Sequence, residues 1–298
     1  MTHTIDGPSA PAPFTQRHKN APADDPTNWA LYDQYLDLCE AHRWKMADVR
    51  AEIATVDPKT LTENDRKVID CVGEVAVVEG NAPSIVVNQL ALMLYDSEYA
   101  SFATYQVGEE AKHFHSIRHY CRHVGHPIAA RHGEAAVSER QKGFDPSDFG
   151  DAYACVLINL LGETLNIHLY QVLAENCDEP VLKKLLNRIA LDERRHQQWF
   201  AMFFEKRAAA DPAYVPSALE SLRAMLGLDR RPEAREQRHQ GTGVVNYIEA
   251  TEKVIRYGYS LDIIARTVRE QWQLIERCFG DALDIPRHAF YEHQIPKR

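Results

Sequence analysis

Residues Ala152 to Leu173 read AYACVLINLLGETLNIHLYQVL, and Glu163 is the only formally charged side chain among them. A helix of this composition is apolar on nearly every face, so we expect it to lie in the centre of the fold. A carboxylate buried there without a partner costs several kcal/mol. Glu163 is therefore predicted to face a cation or to be held in its neutral form.

The segment from Cys71 to Tyr95 is similarly apolar, and its only charges are Glu74 and Glu79. Glu79 falls in step with apolar residues of one helix face, whereas Glu74 lies on another face and nearer the helix start. Pro83 removes the helical hydrogen bond to the carbonyl of residue 79 and opens that turn. Glu79 is therefore the better candidate for a buried ligand.

Two further segments share the pattern Glu-x-x-His, at Glu110–His113 and Glu193–His196. Residues three apart lie on one face of a helix, so the Glu and His of each pair can bind the same metal ion. The pattern alone is weak, because Glu236–His239 repeats it in an Arg-rich polar loop. Carboxylate and imidazole ligands with positions left open suit iron or manganese better than a structural zinc ion.

Together these segments offer Glu, Glu-x-x-His, Glu and Glu-x-x-His in chain order, the ligand set of ferritin-like di-iron and di-manganese carboxylate bundles. The predicted metal ligands are Glu79, Glu110, His113, Glu163, Glu193 and His196. Asp192 is predicted to accept the free N–H of His113, and Glu109 that of His196, which would fix each ring. A solvated side chain is the alternative for Glu109.

The rest of the chain predicts one all-α domain with a ferritin-like four-helix bundle core. Residues 1–27 are Pro-rich without an apolar period and are predicted to be a flexible arm. Residues 28–298 are predicted to be a single ferritin-like di-iron domain, with its bundle core over about 62–210 and C-terminal helices over 213–280. A polar loop is predicted over 128–147.

Composition argues against several classes of protein. No apolar run reaches the roughly 18 residues that a membrane-spanning helix requires, and the N-terminus lacks the order of a secretory signal. A net charge of −9 argues against general nucleic-acid binding. The six cysteines are scattered without a CxxC pair, which predicts packed, reduced thiols in a cytoplasmic protein rather than a disulfide framework.

At these residues the chain resembles the soluble acyl-ACP desaturases of the ferritin-like superfamily. The shared residues are Glu79 with a proline one turn on, Glu109-Glu110-Ala-Lys-His113, and Asp192-Glu193-Arg-Arg195-His196. A weaker likeness extends over Tyr259–Arg277. The resemblance implies two iron ions, or a manganese–iron pair, with O2 as co-substrate. It also implies electrons from an external ferredoxin and its reductase, an acyl chain on acyl carrier protein, and a homodimer.

Three positions depart from relatives with the same ligand order. Asn166 stands one turn after the third glutamate, where the desaturases carry a threonine. Ile117 replaces the radical tyrosine of ribonucleotide reductase small subunits, and Ile189 replaces the extra histidine of arylamine N-oxygenases. Aldehyde-deformylating oxygenases share the ligand order and a similar spacing.

The predicted function is O2-dependent oxidation of an unactivated C–H bond in an acyl substrate. One alternative is a di-iron hydroxylase, oxygenase or N-oxygenase of small-molecule biosynthesis; a second is a ferroxidase or other iron-handling protein. Side chains about one turn from the ligands are predicted to line the substrate pocket, with plain core packing as the alternative for each. They are Ala82, Val86, Phe114, Ile117, Leu160, Asn166, Ile167 and Trp199.

Two features outside the ligand set carry predictions about partners. Trp44, on the first helix, is a candidate electron relay, although a core tryptophan needs no such role. A basic stripe off the ligand face could dock an acidic carrier protein by charge complementarity, with a solvated helix edge as the alternative. The stripe comprises His115, Arg118, His119, Arg122, His123 and His126.

Overall fold

The computed structural model describes three stretches of the chain, residues 29–141, 151–228 and 252–294, without the side chains of 83–84 and 135–141. Within these stretches the regular elements are all helices, which confirms the predicted all-α fold. The predicted arm at 1–27 and the Arg-rich loop that contains Glu236–His239 lie outside the described residues.

The helices of the described residues are, in chain order, α1 (Ala30–His42), α2 (Met46–Ile53), α3 (Glu63–Glu79), α4 (Ala82–Met93), α5 (Ser97–His123), α6 (Ile128–Gln141), α7 (Ala152–Glu175), α8 (Pro180–Ala210), α9 (Tyr214–Met225), α10 (Glu252–Arg256), α11 (Ser260–Phe279) and α12 (Arg287–Gln294). A short 3-10 helix, Gly280–Ala282, lies between α11 and α12. The pairs α3·α5, α4·α5 and α7·α8 pack side by side, and α1, α2, α9 and α11 pack around them.

Acidic and hydroxyl side chains set the starts of the four longest bundle helices. Thr62 and Asp65 form a reciprocal capping box at α3. Asp96 caps α5, Asp151 caps α7, and Glu179 accepts two backbone N–H groups at the start of α8. Such caps satisfy N–H groups that have no partner inside the helix, so the first turns are held in register.

Helix α7 is the central helix that its composition predicted. Among the described residues it alone is long and apolar enough to cross a membrane, so the expectation that no segment reaches this length was wrong. Inside the protein, 67% of its most apolar 18-residue window is buried. It packs most extensively on α8 and also contacts α9 and α11. This burial accounts for its apolar sequence, as expected for the core helix of a bundle.

The apolar segment before α5 is split into two helices where the sequence predicted a break. Glu79 is the last residue of α3, and Gly80 and Asn81 separate it from α4. Pro83 falls in the first turn of α4, where a proline costs no hydrogen bond. The side chain of residue 79 therefore projects from the end of a helix, not from the middle of a continuous one.

The loop predicted over 128–147 is wrong for residues 128–141, which form α6. Tertiary contact with α3 stabilises this helix. A Cβ placed on Gly73 would come within 2.7 Å of Cγ2 of Ile128, so α6 approaches the backbone of α3 closely. Nε2 of the buried His132 lies 2.8 Å from the carbonyl oxygen of Gly73. These contacts outweigh the polar sequence that suggested a loop.

The cysteines occupy the interior as small hydrophobic side chains. All six are buried free thiols, as expected for cysteines that pack as small hydrophobic residues. Burial is the main cause that raises the pKa of Cys71, Cys155 and Cys278 to about 12. These thiols are therefore protonated and packed, not reactive.

Candidate metal centre

The six predicted ligand side chains converge inside the bundle, between α3, α5, α7 and α8, and all are buried. Two overlapping groups each bring one ligand atom per residue within 4.8 Å of the others: Glu79, Glu110, His113 and Glu193, and Glu110, Glu163, Glu193 and His196. Glu110 and Glu193 belong to both groups. The cluster can hold metal ions, and these two carboxylates lie where they can bridge a pair.

One ring nitrogen of His113 faces the carboxylates of Glu110 and Glu193, and the other faces Asp192 on the far side of the ring. Its Nδ1 lies 3.2 Å from Oε2 of Glu110 and 3.4 Å from Oε1 of Glu193. Its Nε2 lies 3.1 Å from Oδ2 of Asp192. Because a carboxylate only accepts, the proton of a neutral ring belongs on Nε2, and the Nδ1 lone pair then faces oxygens. That arrangement requires a proton or a cation between them.

The ring of His196 has the same arrangement, with Nδ1 toward the carboxylates of the cluster and Nε2 toward a carboxylate behind it. Its Nδ1 lies 3.2 Å from oxygens of both Glu110 and Glu193, and its Nε2 lies 3.1 Å from Oε2 of Glu109. The structure thus places Asp192 and Glu109 behind the two histidines, as the sequence predicted. Carboxylates in these positions fix the tautomer and orientation of a metal-binding imidazole.

Electrostatics within the cluster favour a cation. Burial, followed by the charges of Glu110 and Glu193, raises the pKa of Glu79 well above its ordinary value. Burial and the charge of Glu193 do the same to the pKa of Glu163. Burial opposes ionisation of Glu110 as well, but hydrogen bonds to the two histidines outweigh it and lower its pKa. A divalent cation would take over the charge balance that protons otherwise provide.

One buried oxygen supports the same conclusion. Oε2 of Glu163 is shielded from solvent and makes no hydrogen bond to any described residue. A buried carboxylate oxygen without a donor is costly, and coordination to a metal would satisfy it. The donor set of carboxylate oxygens plus two imidazole nitrogens fits iron or manganese.

Two contacts to the ligands were not predicted from the sequence. Gln106, one turn before Glu110 on α5, donates from Nε2 to Oε1 of Glu163 at 2.7 Å and to Oε1 of Glu110 at 3.3 Å. The hydroxyl of Tyr170 donates to Oε1 of Glu79 at 2.6 Å. The signal for Gln106 was present, since a polar residue one turn from a ligand shares its helix face.

The N-terminal segment sends one aromatic side chain to each outer carboxylate. The indole N–H of Trp44, the predicted relay residue, donates to Oδ2 of Asp192 at 2.8 Å. Its ring lies 6.4 Å from that of His113, between centroids, and nearly parallel to it. On the other side, the hydroxyl of Tyr35 donates to Oε2 of Glu109 at 2.7 Å.

Behind the ligands, Glu270 of α11 joins α7 to α8. Its Oε2 lies 2.8 Å from Nε2 of His168, and its Oε1 accepts from Gln197 at 2.9 Å and from Arg194. Gln197 also donates to the hydroxyl of Thr164 at 2.8 Å. Arg194 and Gln197 each follow a candidate ligand in the chain, so this network braces the helices that carry three of them.

The predicted pocket residues lie mostly in the packed core. Val86, Ile117, Leu160, Ile167 and Trp199 are buried, and Ala82, Phe114 and Asn166 are partly exposed. The ring of Trp199 stacks on Phe102 with the centroids 3.6 Å apart. Contact of any of these residues with a substrate stays a prediction.

The predicted basic stripe on α5 is partly engaged within the protein. Nε2 of His123 lies 2.9 Å from the carbonyl oxygen of Val56, and Nε2 of His126 lies 2.9 Å from a carboxylate oxygen of Asp70. His115 and Arg122 are exposed. Docking of an acidic protein on this stripe stays a prediction.

Comparison with known families adds an independent observation. A family model described as fatty acid desaturase matches residues 82–228, somewhat less than half of the chain. The chain is similar there to fatty acid desaturases. The match contains five of the six candidate ligands and begins just after Glu79. It indicates an oxidoreductase of desaturase or oxygenase type. No curated protein matches the chain.

Proposed function

We propose that this protein is an O2-dependent di-iron oxidoreductase that oxidises an unactivated C–H bond of an acyl substrate. The observation that carries the proposal is the pair of overlapping four-residue groups that share Glu110 and Glu193. Such a pair matches the ligand set of the carboxylate-bridged bundles. The match to fatty acid desaturases supports an acyl chain as the substrate.

Six side chains of this cluster would hold the metal pair. Glu79 and His113 belong to one group only and would bind one ion, and Glu163 and His196 would bind the other. The pair, when bound and reduced, supplies O2 activation and the oxidising power for C–H cleavage. Iron is the proposed metal, and a manganese–iron pair is the alternative.

The protein itself excludes water from the site, orients the ligand side chains and supplies their charge. All six ligand side chains are buried, so water is excluded from the reacting atoms. Asp192 and Glu109 hold the histidine rings with Nδ1 toward the carboxylates of Glu110 and Glu193. Gln106 holds the carboxylate of Glu163 through a 2.7 Å hydrogen bond. These contacts would keep the ligands in place around a bound metal pair.

Electrons are proposed to come from an external ferredoxin-type donor in the cytoplasm. Trp44 supports a route to the site, because its indole contacts Asp192 and lies 8% exposed near the surface. The ammonium of Lys112, a partly exposed residue, lies 4.5 Å from its ring centroid. A homodimer and an acyl carrier protein as the vehicle of the substrate complete the proposal.

Hydroxylation or another oxygen insertion at the same site is the second candidate. Asn166 favours it, because this residue stands where the desaturases carry a threonine. The metal ligands are the same in both cases, so the product distinguishes the two reactions.

The test combines metal content, O2 uptake and product mass. Purified protein is loaded with Fe(II), and O2 consumption is measured with a reductant, with and without acyl substrates free and on carrier protein. Loss of two hydrogens means desaturation, and gain of one oxygen means hydroxylation. Iron uptake with O2 consumption but no altered product would favour a ferroxidase. Glu163→Gln should lose iron, whereas Glu74→Gln, on another face of α3, should keep it.

A further inference from the structure

Helix α1 places a buried tyrosine beside the candidate metal centre. Tyr35 is 1% exposed, and its hydroxyl donates to Oε2 of Glu109 at 2.7 Å. The same oxygen lies 3.1 Å from Nε2 of His196. The rings of Tyr35 and His196 are 6.4 Å apart between centroids. A single carboxylate therefore connects this phenol to a candidate metal ligand.

A second tyrosine continues from Tyr35 to the surface. The ring centroid of Tyr105 on α5 lies 5.9 Å from that of Tyr35, edge to face. Its hydroxyl donates to Oε1 of Glu40 at 3.4 Å, and Glu40 is exposed. Tyr105 is partly exposed and lines a surface groove together with Tyr32. The two phenols thus span the distance from the buried cluster to solvent.

Both phenols have what one-electron oxidation requires. Burial, with the charge of Glu109, raises the pKa of Tyr35 well above its ordinary value, and burial raises the pKa of Tyr105 to about 12. A protonated phenol is oxidised readily only when its proton can leave at the same time. Glu109 and Glu40 are hydrogen-bonded acceptors for the two protons.

Two other groups near Tyr35 lack this combination. Trp199 stacks on Phe102, which contacts Tyr35, but Nε1 of Trp199 has no hydrogen-bond partner among the described residues. Sγ of Cys39 lies 3.8 Å from the same oxygen of Glu109, so the thiol is a competing hydrogen donor. It is buried, so it does not itself reach the surface.

We propose that Tyr35 and Tyr105 carry oxidising equivalents from the metal pair to the surface when O2 reacts there without substrate. The proposal rests on the proposed function, which supplies the oxidant as an O2-derived oxidising equivalent at the metal pair. Such a route removes an oxidant that would otherwise attack the ligands and the surrounding core.

Each step conserves charge and protons. Tyr35 gives one electron to the metal pair and its phenolic proton to Glu109, which leaves a neutral tyrosyl radical. Tyr105 then gives one electron to this radical and its own proton to Glu40, while Glu109 returns the first proton to Tyr35. A thiol- or ascorbate-class reductant in solution supplies one electron to Tyr105, and Glu40 returns the proton.

The test follows radicals in full-length protein loaded with Fe(II), mixed with O2 without substrate and frozen at successive times. Electron paramagnetic resonance should show a signal that narrows when the protein contains ring-deuterated tyrosine. Tyr35→Phe should lose this signal, and Tyr105→Phe should keep it and prolong its lifetime. Tyr32→Phe, on the same helix and groove, should match the wild type, and Cys39→Ala should retain the signal.

Iron content and O2 uptake are measured on the same samples. Normal uptake with no tyrosine-derived signal, or with a signal that persists in Tyr35→Phe, overturns this inference and leaves the proposed function standing. A protein that binds no iron or consumes no O2 overturns both. Tyr105→Phe alters a partly exposed ring, so an unchanged radical lifetime in that variant contradicts the route even if Tyr35→Phe does not fold.

Discussion

Oδ2 of Asp192 lies 3.1 Å from Nε2 of His113 and sets which ring nitrogen faces the metal cluster. The same oxygen accepts from Trp44, and Oδ1 of Asp192 accepts from Arg195. Every hydrogen-bond partner of this carboxylate among the described residues is therefore a donor. An asparagine here must turn its amide N–H group toward one of them.

Asp192→Asn is expected to lower metal affinity by about 10–100-fold, because the ring of His113 loses its fixed tautomer. Competition titration with a chelating dye, using Fe(II) or Co(II), measures the change. Asp37→Asn, an exposed position on α1, is the matched control and should bind metal as the wild type does. Equal affinity in both variants would show that Asp192 does not orient the ligand.

Gln106→Leu removes the amide that holds Glu163 and leaves a side chain of similar size. Metal affinity should fall by about tenfold or more, as for other partners of metal ligands. The absorption spectrum of the Co(II)-loaded protein should also shift, since the carboxylate of Glu163 is free to turn. Gln273→Leu, an exposed change on α11, should leave the spectrum unaltered. An unchanged spectrum in Gln106→Leu would contradict the positioning role.

The stability of the metal-free protein should depend on pH through the side chain of Glu270. Burial opposes its ionisation, but hydrogen bonds from His168, Arg194 and Gln197 outweigh burial and lower its pKa to about 2. A lowered pKa in the folded state contributes stability above the unfolded value near 4.5, and this contribution is lost as the pH falls toward 2.

Glu270→Gln should therefore lower Tm at pH 5 and above, and the difference from the wild type should close as the pH falls. Thermal melts across this range, monitored by circular dichroism, test the sign. Glu276→Gln, an exposed position on the same helix, should follow the wild-type curve throughout. A difference in Tm that stays constant with pH would indicate lost packing instead of lost charge.

Gly73→Ala should lower the free energy of unfolding by about 1–3 kcal/mol, because the added methyl overlaps the side chain of Ile128. Gly108→Ala is the control: its Cβ meets nothing within 4 Å, and alanine should add up to about 1 kcal/mol in this helix. Urea denaturation measures both. Combining Gly73→Ala with Ile128→Ala should cost less than the sum of the single changes.

The ligands could be predicted from the sequence because each depends on local pattern. A lone charge in an apolar helix, and Glu with His three residues on, carry their meaning without tertiary information. Glu163 and the two Glu-x-x-His pairs meet in space because their helices are long and well capped. The break after Glu79 could be predicted for a similar reason, because Gly80 and Pro83 mark it in the sequence.

What the sequence did not reveal depends on contacts between distant segments. No glycine or proline marks residues 43–45, where α1 ends and α2 has yet to begin, so the turn that places Trp44 over the site was not predicted. Helix α6 depends on the close approach of Ile128 to Gly73. Tyr170 looks like an ordinary helix residue until its partner Glu79 on α3 is known.

The ligand order, Glu then Glu-x-x-His, occurs twice in the sequence. Helix α1 and the residues between it and α2 supply no candidate ligand, yet they make the surroundings of the two histidines unlike. His113 contacts Asp192, which also accepts from the indole of Trp44. His196 contacts Glu109, which also accepts from the phenol of Tyr35 and lies near the thiol of Cys39. If the cluster holds two metal ions, such unlike surroundings would give the two positions different affinities and reduction potentials. Unlike metals would then fill the pair in a preferred order, set by the N-terminal segment.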